Sequence, residues 1–228
     1  MWYNFHKGCD SMPSWPVHIA LANKLNKKLK LGDDFIIGNV IPDAMNGFII
    51  KNVSKAVGHQ TTHYSSGKGQ IALTSFLANY QAKMKNPIIM GYFVHLLTDA
   101  YFNNYTHEQH IIIKDDKKGA ILNDGTVSFA LTPWQIKQDD FHKFGDQLIL
   151  DKRLGNIVKL SQKTTDYLQD LNFLITNNDL EKIIAKINGL ITKDAQMHNN
   201  YKMFTLPGLE EVLDNCYYYI LDYLAKIK

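Results

Sequence analysis

The segment 87–103 is apolar on most sides, yet it contains His95 and Asp99. Its periodicity predicts one helix that begins at Pro87, and a helix with apolar residues all round is a central, buried one. His95 and Asp99 are four residues apart, so they project from the same helical face, one turn apart. A buried carboxylate is costly unless a positive group meets it. A metal ion meets that need and also binds an imidazole nitrogen; a His–Asp hydrogen bond or a partner lysine is the alternative.

Helical periodicity continues along most of the chain and predicts an all-α, multi-helix bundle. The further helices are expected at 15–30, 69–84, 133–151, 154–176, 178–194 and 207–227. Residues 35–47 (FIIGNVIPDAMNG) are expected to form an irregular turn region, because Pro42 and Gly47 interrupt regular structure. Between 111 and 132, two β-prone runs around Asn123-Asp124-Gly125 predict a small hairpin or a long surface excursion.

Composition is that of an ordinary globular protein, with 45% hydrophobic and 21% charged residues in 228. One domain over 1–228 is expected, since this length does not require a second one. The net charge of +3 does not indicate a nucleic-acid partner. No apolar run approaches the roughly 20 residues that span a bilayer, and the first fifteen residues do not resemble a signal peptide. With only Cys9 and Cys216 available, we expect a reduced, cytoplasmic protein.

Histidine, the commonest protein ligand for zinc, is concentrated early: eight of the nine lie in the first 142 residues. His59 and His63 in GHQTTHY are four apart, as in the zinc-protease helix motif. That motif requires a glutamate base where this chain has Gln60, so a protease is not indicated. Either histidine can still be a metal ligand.

Three further elements carry ligand-type residues. SWPVHIALA places His18 on the apolar side of the first helix, and GNVIPDA presents Asp43 after a proline. DDFHKFGD repeats the four-residue spacing with His142 and Asp146. A single histidine on an apolar face is usually a core residue, but five such elements together indicate a metal cluster. Histidine and aspartate ligands without a thiolate pair are typical of a catalytic zinc site.

In this order, WPVH, GNVIPD, THY, GYFVHLLTDAYF and DFHKFGD resemble the bacterial zinc-dependent phospholipase C family, which is related to single-strand-specific zinc nucleases. The resemblance covers about residues 14–150. Members are all-α and hold three zinc ions at the bottom of a cleft. The resemblance therefore implies a metal-site half in 14–150, supporting helices in 151–228, and hydrolysis of a phosphate ester such as a phospholipid.

For the first zinc ion, the resemblance implies four ligands: Asp43, His63, His95 and Asp99. His18 helps to hold a third ion, to which Asp99 bridges. In secreted members an N-terminal tryptophan completes that third site, whereas here Trp2 follows Met1. We therefore expect two or three zinc ions. Asp43 is also the candidate general base, because a carboxylate at the rim can bind metal and accept a proton.

For the second zinc ion, the resemblance implies His142, Asp146 and a histidine from the loop after the central helix. Asp146 stands where the family usually has glutamate, and His110 is preferred to His107 as the loop histidine. Two nearby metals can clamp a phosphoryl oxygen and lower the pKa of bound water to about 7. The sequence thus predicts a zinc-dependent phosphodiesterase. The alternatives are a metal-binding protein of the same fold that acts as an interaction module, and a helical module without metal.

Overall fold

Helices dominate the computed structural model, which describes residues 13–65 and 71–227. The helices are α1 (Trp15–Leu29), α2 (Asp33–Ala44), α3 (His59–Thr62), α4 (Leu73–Tyr80), α5 (Pro87–His110), α6 (Pro133–Leu150), α7 (Thr164–Leu168), α8 (Asn177–Ile191) and α9 (Leu206–Lys226). A 3-10 turn over Gln81–Lys83 follows α4. The predicted helical fold is confirmed, and its likeness to a phospholipase C bundle stays a prediction.

Helix α5 forms the centre of the fold, as its apolar sequence predicts. It begins at Pro87, and the side chain of Asn86 caps it by accepting a hydrogen bond from the backbone N–H of Ile88. The helix runs to His110 rather than ending at 103, because the polar residues of its last turns still include the buried Thr106. His107 and His110 therefore lie in a helix and not in a loop.

The prediction of irregular structure over 35–47 is wrong, because α2 is helical through Pro42 to Ala44. Proline removes one helical hydrogen bond, but every residue from Asp34 to Ala44 is buried. Packing against α5 outweighs that loss.

Two glycines allow α2 and α5 to approach with their backbones in contact. A Cβ atom on Gly38 would lie 2.2 Å from the carbonyl oxygen of Ile88, and one on Gly91 would lie 2.1 Å from that of Phe35. No side chain fits between the helices at these positions, so the spacing of α2 and α5 is set by backbone contact.

The predicted hairpin region forms a small antiparallel sheet in the order β1 (Ile111–Lys114), β2 (Lys117–Ile121), β3 (Val127–Ser128). The first turn is Asp115-Asp116, and both residues have positive φ, as two-residue hairpin turns of type I′ require. The expected turn at Asn123–Gly125 connects β2 to β3. The sheet follows α5 directly and precedes α6.

The long helix expected over 154–176 is wrong, since only α7 forms there. Gly155 has a φ of 89°, and the amide side chain of Asn188 binds both the N–H and the carbonyl of Val158. Asp34 accepts hydrogen bonds from the hydroxyls of Ser161 and Thr164. These tertiary contacts satisfy the backbone in an extended form.

Some predictions fall on residues outside the described ranges: those for Trp2 and Cys9 and the start of the helix expected at 69. Cys216 is buried and carries a free thiol. No helix within 13–65 and 71–227 is long and apolar enough to cross a membrane.

Candidate metal centre

Five of the eight predicted ligands come together in the core, each contributed by an element near α5. The cluster consists of His18 from α1, Asp43 from α2, His63 at the end of α3, and His95 and Asp99 from α5. None of the five is more than 3% exposed. We call this set the His/Asp cluster.

Four atoms of the His/Asp cluster converge on one point. The Nε2 atom of His63 lies 3.1 Å from Nε2 of His95, 3.4 Å from Oδ1 of Asp43 and 3.6 Å from Oδ2 of Asp99. His95 Nε2 lies 3.2 Å from the same Asp99 oxygen. On the other side, Asp99 Oδ1 lies 3.2 Å from Nε2 of His18. Asp99 therefore links two groups of potential ligands.

Backbone carbonyls determine which nitrogen of each ring is free to bind a metal. His95 Nδ1 lies 2.7 Å from the carbonyl oxygen of Asn39, and His63 Nδ1 lies 3.2 Å from that of His59. A carbonyl only accepts, so we assign the proton of each ring to Nδ1. Both Nε2 atoms then present lone pairs to the carboxylate oxygens. The two Nε2 atoms and the carboxylate oxygens are then all hydrogen-bond acceptors, and no proton lies between them.

A metal ion fits this arrangement. Neither nitrogen of His18 and neither oxygen of Asp99 has a hydrogen-bond partner within the described part of the chain, although all four atoms are buried. Such groups are costly to bury unpaired. Two ligand atoms bound to one tetrahedral zinc ion at about 2.1 Å lie about 3.4 Å apart, which matches the distances in the cluster.

The carboxylates of the cluster remain ionised despite their burial. Burial raises the pKa of Asp43, but the adjacent imidazoles of His63 and His95 outweigh it, and the pKa falls below its usual value. Burial likewise raises the pKa of Asp99, but the adjacent His95 and His18 outweigh it. The pKa of this carboxyl therefore also falls below its usual value. Two anionic carboxylates in an apolar core supply the charge that a divalent cation needs.

Two residues that contact the cluster were not predicted as site residues, although they lie within the WPVH and GNVIPD motifs. Trp15 donates its indole N–H to Asp43 Oδ2 at 3.1 Å. Asn39, besides holding His95 through its carbonyl, donates its side-chain amide to the carbonyl of Gly91 at 3.2 Å. Trp15 precedes His18 by three residues in a helix, a spacing that places both on one face. This spacing is the sequence signal from which Trp15 could have been predicted to lie near the cluster.

His59 lies beside the cluster rather than in it. Its ring stacks on His63 with 3.9 Å between ring centroids. Burial lowers the pKa of His59 to about 4, so the ring is neutral at pH 7. His59 belongs to neither group of potential ligands, in line with the preference for His63.

The other three predicted ligands do not join the cluster. His110 faces the carbonyl of Ile121 at 3.3 Å and packs edge-on against Phe204. His142 is exposed on α6. Within the described ranges, the groups whose ligand atoms lie within 4.8 Å of one another include none of these three residues.

Asp146, the third of them, is bound to other side chains. One oxygen accepts from Lys193 at 2.7 Å, and the other lies 3.0 Å from Nε2 of His198. Burial raises its pKa, but these two partners lower it overall. His198, which lies outside the region of the resemblance, is therefore a direct partner of Asp146.

A cleft of about 710 Å³ opens between the second half of α5, the sheet and the start of α6. Asn103 lines the cleft and follows Asp99 by one helical turn on the same side of α5. His107 lies in its wall, and Glu108 is the acidic residue there. The wall also contains three lysines: Lys117, Lys118 and Lys137.

Comparison with known proteins adds no relative: no protein-family model matches the chain, and neither the curated proteins nor the solved structures contain a match.

Proposed function

We propose that the protein is a zinc-dependent phosphoric ester hydrolase with phospholipase C-like phosphodiesterase activity. One observation carries the proposal: in the apolar core, two imidazole nitrogens with free lone pairs converge with oxygens of two ionised carboxylates. Buried charge of this kind is tolerated when it coordinates a metal. The ligand types and the order of the motifs favour catalytic zinc.

Each residue of the cluster has a distinct part in the proposed centre. His63, His95, Asp43 and Asp99 would hold the first ion, and His18 with Asp99 would help to hold the third ion that the resemblance implies. Bound zinc supplies a Lewis acid and lowers the pKa of water to about 7. Asp43 is the candidate proton acceptor, because a carboxylate can both bind metal and accept a proton.

The cleft at the second half of α5, which none of the five cluster residues lines, supports a phosphate ester as the substrate. Lys117 and Lys118 lie in its wall, and Lys137 is held in place by a 3.0 Å hydrogen bond to Asn103. Lysine side chains bind phosphate as point charges. The cleft thus offers cations where the chain has no arginine other than Arg153.

A second candidate is a metal-binding protein of this fold that does not hydrolyse esters and acts as an interaction module. The burial of the whole cluster favours it, since none of the ligand residues is more than 3% exposed. So does the engagement of Asp146 with Lys193 and His198, which leaves the zinc site expected at His142 and Asp146 without a free carboxylate. Metal content is the same for both candidates, so activity separates them.

The test is elemental analysis of the purified protein together with a phosphodiester panel. The panel consists of bis(p-nitrophenyl) phosphate, p-nitrophenylphosphorylcholine and phosphatidylcholine vesicles. We expect bound zinc and zinc-dependent release of nitrophenol or diacylglycerol. Zinc without hydrolysis of any substrate supports the interaction module, and absence of bound metal after zinc loading contradicts both.

The lysines of the cleft provide a sharper comparison. Lys117→Ala with Lys118→Ala should raise KM for an anionic substrate without changing bound zinc. Lys226→Ala, which removes an exposed lysine paired with Asp222, is the matched control. Equal KM values in the two variants contradict the use of this cleft.

A further inference from the structure

The indole of Trp15 and the carboxylate of Asp43 form a buried hydrogen bond at the edge of the His/Asp cluster. Both residues are about 3% exposed, and Nε1 of Trp15 lies 3.1 Å from Oδ2 of Asp43. The indole N–H is a donor only. It therefore binds one oxygen of the carboxylate and leaves the other, Oδ1, facing His63 at 3.4 Å.

The position of the indole is fixed by the residues on either side of it. Ser14 donates its hydroxyl to the carbonyl of Phe141 in α6 at 3.0 Å. Pro16 packs against Gly145 so closely that a Cβ atom there would lie 3.1 Å from the proline ring. Helix α6 thus holds the first turn of α1 in place, and the donor cannot follow the carboxylate if Asp43 rotates.

We propose that Trp15 is a positioning residue that keeps Asp43 a one-oxygen metal ligand, an inference that rests on the proposed metal centre. Without the indole, the carboxylate can rotate about χ2 and present both oxygens to the metal. With it, only Oδ1 points to the ion. The first turn of α1 then contributes both a ligand, His18, and the donor that orients a ligand on α2.

The test is Trp15→Phe, which removes the N–H and keeps an aromatic ring in the core. Residues that orient a metal ligand typically change metal affinity by about 10–100-fold. We expect the zinc affinity, measured by competition with a chromophoric chelator, to fall by at least about tenfold. The visible spectrum of bound Co²⁺ should also change toward higher coordination, since a two-oxygen carboxylate adds a ligand atom. Trp134→Phe, in the wall of the cleft, should change neither quantity.

Two results would overturn this role for Trp15, the first of them in the variant and the second in the wild-type protein. If Trp15→Phe binds zinc with wild-type affinity and gives the wild-type Co²⁺ spectrum, the indole does not position Asp43. That conclusion holds even if the melting temperature of the metal-free variant is lower, because a purely structural residue would behave in that way.

If Trp15→Phe does not fold, the wild-type protein gives the answer. In protein labelled with ¹⁵N-tryptophan and loaded with zinc, the indole N–H of Trp15 should be protected from hydrogen exchange, and its resonance should shift on zinc binding. Rapid exchange in the loaded protein contradicts the proposal. Wild-type protein that binds no zinc contradicts the proposed function itself, which distinguishes the two failures.

Discussion

The Nε2 atoms of His63 and His95 lie 3.1 Å apart, and the other nitrogen of each ring faces a backbone carbonyl. With Nδ1 protonated in both rings, two lone pairs point at each other beside the Asp43 and Asp99 carboxylates. A cation between them turns this repulsion into coordination. The metal-free protein should therefore be less stable than its packing suggests.

Removal of metal should lower the melting temperature, and added zinc should restore it. A ligand at 100 times its dissociation constant adds about 2.7 kcal/mol of stability. For a chain of this size, that corresponds to a shift of about 5–10 °C. Calorimetry before and after chelation, with metal content verified by elemental analysis, measures it. An unchanged curve in verified metal-free protein counts against the whole centre.

Substitution should distinguish the two histidines of GHQTTHY. His63→Ala should reduce the number of bound zinc ions, because Nε2 of His63 faces three other potential ligand atoms. His59→Ala should leave that number intact, since its ring only stacks on His63. Zinc counted per chain by elemental analysis is the measurement. The reverse pattern would move the site by one helical turn.

Asp99→Asn should be the most damaging single change to the centre. The amide keeps the shape of the side chain but removes the charge that faces His95 on one side and His18 on the other. We expect at least one metal site to be empty and phosphodiester hydrolysis to be lost. His198→Ala, which contacts Asp146 outside the cluster, is the control for both measurements. Full zinc content and wild-type hydrolysis in Asp99→Asn would contradict the assignment of Asp99 as a metal ligand.

Asp179 should make stability depend on pH in the acid range. It accepts hydrogen bonds from the backbone N–H groups of Ser54 and Thr176 and so ties the segment before α3 to α8. Burial raises its pKa, but these bonds lower it overall. The folded state thus binds its proton less readily than the unfolded chain. This contribution is present above the unfolded pKa of about 4 and is lost as the pH falls through the folded value.

The variant Asp179→Asn tests this assignment. It should lower the free energy of unfolding at pH 7 by about 1–2 kcal/mol and weaken its decline below pH 4. Asp222→Asn, in an exposed pair with Lys226, should change stability by less than about 0.5 kcal/mol. Urea unfolding from pH 2.5 to pH 7 measures both. If the free energy of unfolding depends on pH in the same way for wild type and Asp179→Asn, Asp179 does not cause the pH dependence.

Gly91→Ala should separate α2 from α5 and disturb the centre at a distance. A Cβ atom there meets the carbonyl of Phe35 at 2.1 Å and the backbone nitrogen of Asn39 at 2.8 Å, so the helices must move apart. We expect a loss of about 2–3 kcal/mol in stability and weaker zinc binding. Gly189→Ala, with nothing within 4 Å, should instead gain about 0.5–1 kcal/mol. Unchanged zinc affinity in Gly91→Ala would show that helix spacing does not set the cluster.

The buried part of the site could be predicted from the sequence because its residues break an apolar pattern. His95 and Asp99 stand in a helix that is otherwise apolar, and four-residue spacing brings them to one face. His18 and Asp43 likewise follow apolar segments. By contrast, the spacing of His142 and Asp146 predicts only a shared helical face. It does not say that Asp146 pairs with Lys193 and His198, because those contacts span about 50 residues of sequence.

Two predictions about the fold were wrong because they also depend on contacts with residues distant in sequence. Pro42 was expected to end regular structure, but the burial of α2 against α5 maintains the helix. The segment 154–176 has helical periodicity, yet Asn188 and Asp34 bind its backbone and hydroxyl groups in an extended form. Tertiary contacts override local preference in both cases, and local sequence does not contain them.

The order of the ligands along the chain affects how the protein is made. All five residues of the cluster lie between 18 and 99, so they are synthesised before half of the 228 residues. Helix α9, which packs against α1 and α5, is synthesised after them. Chains begin to fold from the N-terminus during translation. A metal ion bound at that time would therefore hold the first helices together while the newly made chain still lacks the helix that covers them.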